Sequence, residues 1–288
     1  MKTVRKGDTG KEVRRVQTAL QIGVDGIFGN LTDISVRKFQ DHNDLNIDGI
    51  VGPLTWEVLK IYETKEEKPT PSNTTNDSNY LWIFDNGHGG IIDGVYQTSG
   101  KRSPKWDDGS ILYEGEFNRA IVNRLMKLCA DAGIECVNLV DTQEDIPLSR
   151  RTDKANDIYR EQRDKDGKQC IYVSVHANGF SKESANGWSV YTSEGETKSD
   201  IVASVLAKNA AAEFPDEKMR KDTRDGDADK ESNFWVLRKT VMPSILSENF
   251  FMTNYDNCHK YLLSEEGRDR IAKIHFQMVQ EIEEKKLV

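Results

Sequence analysis

Hydrophobic and polar positions follow two different rhythms along this chain. Over residues 1–62 apolar side chains return at helical spacing, with Val13, Val16 and Leu20 in one run and Ile34, Val36 and Phe39 in the next. Around these runs the chain echoes itself: Asp25-Gly-Ile-Phe-Gly-Asn-Leu-Thr32 and Asp48-Gly-Ile-Val-Gly-Pro-Leu-Thr55 share the pattern D-G-I-x-G-x-L-T, 23 residues apart. Each Asp-Gly predicts a turn, the apolar pair an inward-packed point, and the second glycine a helix start. Pro53 suits the first turn of the helix it opens. The expectation is a small all-α unit of three short helices, anchored by Trp56. Residues 63–79 hold almost no apolar side chain, two prolines and many Ser, Thr and Asn, the composition of a solvated linker.

From residue 80 the rhythm changes. Short apolar runs predict strands near 80–85, 134–140, 170–176, 187–192, 233–238 and 244–249. Longer patterns of helical period fit 114–132, stopped by Gly133, then 147–163, 198–213 and 264–285. This alternation predicts an α/β domain, a mixed sheet flanked by helices. Two stretches lack periodicity. The Gly-, Ser- and Asp-rich excursion 91–112 is expected to rim a site, and the charged 215–231 to form a surface loop. The chain thus divides at 1–62, 63–79 and 80–288.

Composition narrows the function classes. Charged residues make up 31% of the chain and mean hydropathy is −0.67, values that suit a modest core under a well-solvated surface. No apolar run approaches the roughly 20 residues that span a bilayer, so membrane insertion is not expected. The net charge of −8 argues against a nucleic-acid surface. The acidity lies in residues 80–288, which carry 29 basic and 36 acidic side chains. The N-terminus shows no apolar signal core. Cys129, Cys136, Cys170 and Cys258 show no CxxC spacing, and free thiols are expected rather than ligands or a disulfide framework.

The candidate chemistry sits where elements end. Leu81-Trp-Ile-Phe84 reads as a buried strand that stops at Asp85-Asn86-Gly87-His88-Gly89-Gly90. Glycines around the histidine are expected to let the backbone turn sharply and to keep bulky neighbours off the imidazole. Such a turn presents His88 at the carboxyl edge of a sheet, where open α/β folds place ligands. Ile171-Tyr-Val-Ser-Val-His176 is a second apolar strand ending in histidine, and Tyr113-Glu114-Gly115-Glu116 opens a helix. Two histidines and a carboxylate make a plausible zinc set with one position left for water. Either glutamate could instead favour the helix dipole alone. Glu248 follows the buried-looking run Met242-Pro-Ser-Ile-Leu-Ser247, where burial would raise its pKa and fit it to take and return a proton; a surface ion pair is the other reading. His42, His259 and His275 lie on polar or helical faces without a partner pattern, as surface or structural residues.

These segments resemble two known families. Gly7-Asp-Thr-Gly10, Val13, Gln17-Thr-Ala-Leu20, both DGIxG turns, Phe39-Gln40 and Thr55-Trp56 are similar to the three-helix peptidoglycan-binding domain of cell-wall hydrolases. Residues 80–282 resemble the zinc-dependent N-acetylmuramoyl-L-alanine amidases whose first motif is D-P-G-H-G-G. His88 matches that histidine, and Glu114 with Asn118 matches E-x-x-x-N, which selects Glu114 over Glu116. Ser174-Val-His-Ala-Asn178 matches the second histidine strand, Leu148-Ser-Arg-Arg151 to Ala155-Asn156 the L-x-x-R…A-N helix, and Pro243-Ser-Ile-Leu-Ser-Glu248 the catalytic-glutamate segment. Asn86 stands where proline is usual, which puts the rigidity of the turn in question.

The resemblance implies Zn2+ held by His88, Glu114 and His176, with Glu248 as general base. It implies cleavage of the amide between N-acetylmuramic acid and L-alanine in bacterial peptidoglycan. The expected setting is synthesis in the bacterial cytoplasm and action at the wall after release, as a phage-type endolysin or an autolysin. A zinc peptidase acting within the stem peptide and a non-catalytic wall-binding protein are the alternatives. Oligomeric state is not legible.

Overall fold

Leu81–Phe84 becomes part of the central layer of a six-stranded sheet. A computed structural model describes residues 2–20, 26–43, 45–64, 78–223 and 226–288. It forms two compact units, residues 1–74 with 91–96, and residues 75–90 with 97–288. Asp25, the side chain of His42 and residues 65–77 of the expected linker lie outside the described residues.

In the smaller unit α1 (Lys11–Ala19), α2 (Asn30–His42) and α3 (Pro53–Thr64) enclose Val4, Val13, Val16, Phe28, Val36, Val51, Trp56 and Leu59. Trp56 is buried as expected, its Nε1 donating to the Lys2 carbonyl at 2.9 Å. Ile34 is not part of this core; it is half exposed, because α2 turns Val36 and Phe39 inward instead. The sequence echo has a structural cause. The Gln17 amide accepts from Gly26 N–H (2.8 Å) and donates to the Ile27 carbonyl (3.1 Å). Gln40 repeats both bonds one unit later, with Gly49 N–H (2.9 Å) and the Ile50 carbonyl (3.0 Å). Each buried glutamine thus clips one turn whose glycine has positive φ, 78° and 71°. A short hairpin, β2 (Ile91–Ile92) with β3 (Val95–Tyr96), also belongs to this unit.

In the larger unit the strands are β1 (Tyr80–Asn86), β4 (Cys136–Asn138), β5 (Gln169–Asn178), β6 (Ser189–Thr192), β7 (Lys230–Glu231) and β8 (Ser244–Phe251). Their order is β4-β1-β5-β8-β6-β7. The first four run parallel, β6 runs antiparallel to β8, and β7 parallel to β6, a mixed sheet. The central strands are buried on both faces, which is why they read as continuous apolar runs rather than alternating ones. α4 (Glu114–Asp131), α6 (Lys198–Glu213) and α9 (Glu265–Lys285) cover one face, and α5 (Leu148–Asp166) with α7 (Trp235–Lys239) the other. α4 buries Phe117, Ile121, Val122, Leu125 and Cys129 and ends at Gly133, φ 69°, in the left-handed stop that glycine favours.

Three expectations change. Residues 233–238 are not a strand. Val236 and Leu237 are both buried while Phe234 and Trp235 stay over one-third exposed, so the run closes into the short helix α7. A brief apolar run carries too few periods to tell the two apart. The 215–231 stretch is not wholly a surface loop, since it contributes β7 and the buried Asp229. Tyr255–Asn257 (α8) and a π-helical turn over Cys258–Leu263, unmarked by any apolar period, precede α9. All four cysteines are free, and among the described residues no helix is long and apolar enough to cross a membrane.

Candidate active site

The carboxyl ends of β1 and β5 bring the two candidate histidines together. β1 ends at Asn86, and the next residue, Gly87, passes so close to His176 that a Cβ there would sit 2.0 Å from the imidazole Cε1. The left-handed residue of the turn is His88 itself, with φ 67°, so the glycines serve close approach and the histidine takes the strain. That conformation is held from outside. The His88 carbonyl accepts from Arg119 Nη1 (3.0 Å) and Arg151 Nη2 (3.1 Å), and the Gly87 carbonyl from Asn118 Nδ2 (2.9 Å). Asn86, in the usual proline position, donates to Asn138 Oδ1 and the Val140 carbonyl, so hydrogen bonds supply stiffness a ring would otherwise give.

Glu114 opens α4 and is 2% exposed. The following Gly115 lets the helix start lie on the His88 turn, since a Cβ there would meet the Gly89 carbonyl. Glu114 Oε1 lies 2.9 Å from His176 Nδ1 and 3.2 Å from His88 Nε2. The two rings stand at 89° to each other with centroids 4.9 Å apart. One donor atom from each of His88, Glu114 and His176 therefore falls within 4.8 Å of the others. Nitrogen and carboxylate donors converging in this way could hold a transition-metal ion. Glu116, two residues on, lies beside Gly90.

Glu248 sits on β8 directly across from His176 in the strand register. Its Oε2 is shielded from solvent and has no hydrogen-bond partner. Burial, reinforced by the charge of Glu114 and opposed by His176 and Lys101, pushes its carboxyl up to about 7. Burial pulls His88 below its ordinary value. Burial also opposes charging His176, but its hydrogen bond to Glu114 and the surrounding carboxylates raise it. Burial would raise Glu114 too, yet the two imidazoles hold its carboxyl well below the usual range.

Beneath the histidines is a polar floor that sequence reasoning did not assign. Asp85, 1% exposed, accepts from Arg151, from the Tyr172 hydroxyl (2.7 Å) and from Ser174 Oγ (3.0 Å). Burial works against its charge, but Arg151, the Tyr172 hydroxyl and His176 together hold the carboxyl below its ordinary value. The signal was present: a carboxylate closing an apolar strand needs a buried cation. His176 is braced as well. Its carbonyl accepts from Asn249 Nδ2 (2.9 Å), which also donates to Ser247 Oγ (3.0 Å), and Ser247 meets His275 Nε2 at 2.9 Å. His275 is thus a buried structural residue, while His259 pairs with Asp108 and stacks on Tyr255 away from the triad. Thr98 Oγ1 accepts from Gly89 N–H (2.7 Å) and the Lys101 carbonyl from Glu114 N–H (3.0 Å), so residues 97–101 do border the site.

Comparison with known proteins agrees with this geometry. Residues 83–281 match the family described as N-acetylmuramoyl-L-alanine amidase, and residues 9–59 the family described as putative peptidoglycan binding domain. The uncharacterized protein YqiI of Bacillus subtilis (strain 168) is 27% identical over 192 residues, 66% of this chain and 78% of that one. Two solved structures share the fold. The N-acetylmuramoyl-L-alanine amidase of Clostridium difficile 630 is 24% identical with a TM-score of 0.55, covering 72% of this chain and 98% of its own. Ami1 of Mycobacterium smegmatis is 20% identical with a TM-score of 0.56, covering 73% and 100%. Matched over most of its length, the chain belongs to the N-acetylmuramoyl-L-alanine amidase family and is a peptidoglycan amidase that carries a peptidoglycan-binding domain.

Proposed function

We propose that this amidase works with a Zn2+ ion held by His88, Glu114 and His176, and that Glu248 moves the protons of the reaction. The observation that carries the reading is the pairing of a converging His-Glu-His set with a buried, unpartnered carboxylate oxygen beside it. Zinc bound there supplies Lewis-acid polarisation of the scissile carbonyl and a more acidic water. Glu248 Oε2 takes the proton from the attacking water and returns it to the nitrogen of L-alanine as the amide C–N bond breaks. The products are the lactyl carboxylate of N-acetylmuramic acid and a free L-alanine amine. Arg119, Arg151 and Asn118 hold the backbone at His88, and Asn249 holds the carbonyl of His176, so neither imidazole needs to reorganise. We place its action at the bacterial wall after release, as an endolysin or an autolysin; that both families matched by the chain address one polymer supports this reading.

Glu248→Gln keeps the shape and removes the proton carrier. Zinc content should be unchanged while turnover falls on the order of 10²–10⁴-fold. End-group analysis of purified walls should show one new L-alanine amine per cut and no new reducing sugar. An amine freed from a later stem residue would point to a peptidase, and an unchanged rate in the variant would remove Glu248 from the chemistry.

A further inference from the structure

Away from the histidine site, three aspartates meet at the far edge of the sheet. Asp200 lies in the first turn of α6; Asp227 and Asp229 come from the excursion that leads into β7. One carboxylate oxygen from each lies within 4.8 Å of the others. Acidic side chains often crowd on a solvated surface without consequence; here Asp200 and Asp227 are half-buried and Asp229 lies beneath them. Asp229 is 2% exposed. Its Oδ2 accepts from the Thr192 hydroxyl at 2.5 Å, and its Oδ1 is shielded from solvent without any hydrogen-bond partner. Asp227 Oδ1 is shielded and unpartnered in the same way. No lysine or arginine among the described residues forms an ion pair with any of the three. Two shielded carboxylate oxygens without a partner, within a cluster of three carboxylates, are a costly arrangement unless a cation or a shared proton neutralises it. Burial pushes Asp229 up to about 7, opposed by the Thr192 hydroxyl and reinforced by a hydrogen bond with Asp227 and by the charges of Asp227 and Asp200.

We propose that Asp200, Asp227 and Asp229 form a second cation site, for Ca2+, that pins residues 226–231 to the start of α6 and the end of β6. The donors are all hard oxygens, with the Thr192 hydroxyl close by and no imidazole or thiolate, which separates this site chemically from the histidine site. Ca2+ accepts carboxylate and hydroxyl oxygens in flexible geometry, whereas Mg2+ demands a near-ideal octahedron and keeps several of its waters. The sites of attachment also give the ion something to do. β7 pairs with β6 at only two positions, Tyr191 with Lys230 and Thr192 with Glu231, a weak seam for the return of a long excursion. Asp200 already caps α6 through Thr197, so an ion bridging it to Asp229 would fasten this segment to a rigid helix end.

The test uses the full-length protein with its histidine site zinc-loaded, titrated with CaCl2 in calcium-free buffer. Calorimetry should show saturable binding of one Ca2+ per chain. At 100 times Kd the Tm should rise by about 5 °C or more, and MgCl2 should give a smaller rise. Tryptic cleavage after Lys218, Arg220 and Lys221 should slow on adding Ca2+. The double substitution Asp227→Asn with Asp229→Asn should fold, because amides tolerate the crowding, and should lose all three responses. The proposal is overturned if the native protein neither binds Ca2+ nor gains stability. It is equally overturned if the responses survive in the double variant, or if Mg2+ matches Ca2+. A native protein indifferent to Ca2+ but stabilised by Asp229→Asn alone would show that a proton, and no metal, neutralises the cluster.

Discussion

Arg151 is the residue on which the His88 turn depends most. It is 2% exposed and gives its guanidinium to the Asp85 carboxylate and to the carbonyls of Ile146, Asn86 and His88. Replacing one partner of such a buried pair leaves the other charge stranded, typically at a cost of about 3–5 kcal/mol. Arg151→Met should therefore lower the unfolding free energy of the catalytic unit by about that amount in a denaturant titration. The His88 carbonyl keeps a bond from Arg119, so the fold should survive. A loss below about 1 kcal/mol would mean that the pair contributes little and that Arg119 alone holds the turn. The candidates that the fold brings together were legible as candidates: His88, Glu114, His176 and Glu248 each stand where an apolar run or a helix begins or ends. Arg119 was not, nor was the cation that Asp85 requires. Their roles are contacts with main-chain groups and partners distant in sequence, and no local pattern marks those.

At the scale of elements, the clearest sequence sign was the doubled D-G-I-x-G-x-L-T, and its mechanism is the buried glutamine behind each turn. Gln40→Leu is close in size but strands the Gly49 N–H and the Ile50 carbonyl. Unmet buried backbone groups cost about 1–3 kcal/mol each, so the helical unit should lose about 2 kcal/mol or more, read from thermal unfolding of that unit. Gln17→Leu should act alike, since it strands Gly26 N–H and the Ile27 carbonyl. If either leucine variant were as stable as the native chain, the clip would be incidental. The long elements were visible because their periods are long. α7 was misjudged as a strand because five residues hold barely more than one helical turn, and the tertiary environment chose which of them to bury. The β2–β3 hairpin and β7, two residues per strand, are shorter than any pattern that could announce them.

For the whole molecule, the division of labour between the wall-binding region and the catalytic region makes a separable prediction. Removing residues 1–79 should spare hydrolysis of soluble muropeptides and slow digestion of intact walls, because tethering raises the local concentration of substrate without adding a catalytic group. Equal loss on both substrates would assign the N-terminal region a folding role instead. Acid stability gives a second test. Burial lowers the His275 imidazole from 6.5 to about 4, and the ring is neutral, bonded to the Ile271 carbonyl (2.8 Å) and Ser247 Oγ. Between those values the unfolded chain binds a proton that the folded chain refuses, so this group's contribution to stability declines as pH falls from 6.5 to 4. A shift of that size corresponds to about 3 kcal/mol over the window. The stability gap between native protein and His275→Gln should therefore narrow by about that amount from pH 7 to pH 4, measured by urea unfolding. A constant gap would mean that His275 titrates as an ordinary histidine.

By itself the sequence determined the order of elements, the α/β class of the larger region, the helical character of the smaller one and the residues with the right chemistry. Those features are local: periods of 3.6 residues, uninterrupted apolar runs in strands buried on both sides, and glycines where chains approach. Only the tertiary structure decided which carboxylate reaches both imidazoles, because Glu114 and His176 are 62 residues apart in the chain and meet through the packing of α4 on β5. It also decided that His88 itself takes the left-handed backbone, that Asp85 is ionised beneath it, and that three aspartates from two chain segments converge at the far edge. Each of these depends on distance and desolvation between groups remote in sequence, and those quantities exist only once the sheet has formed and the helices have packed against it.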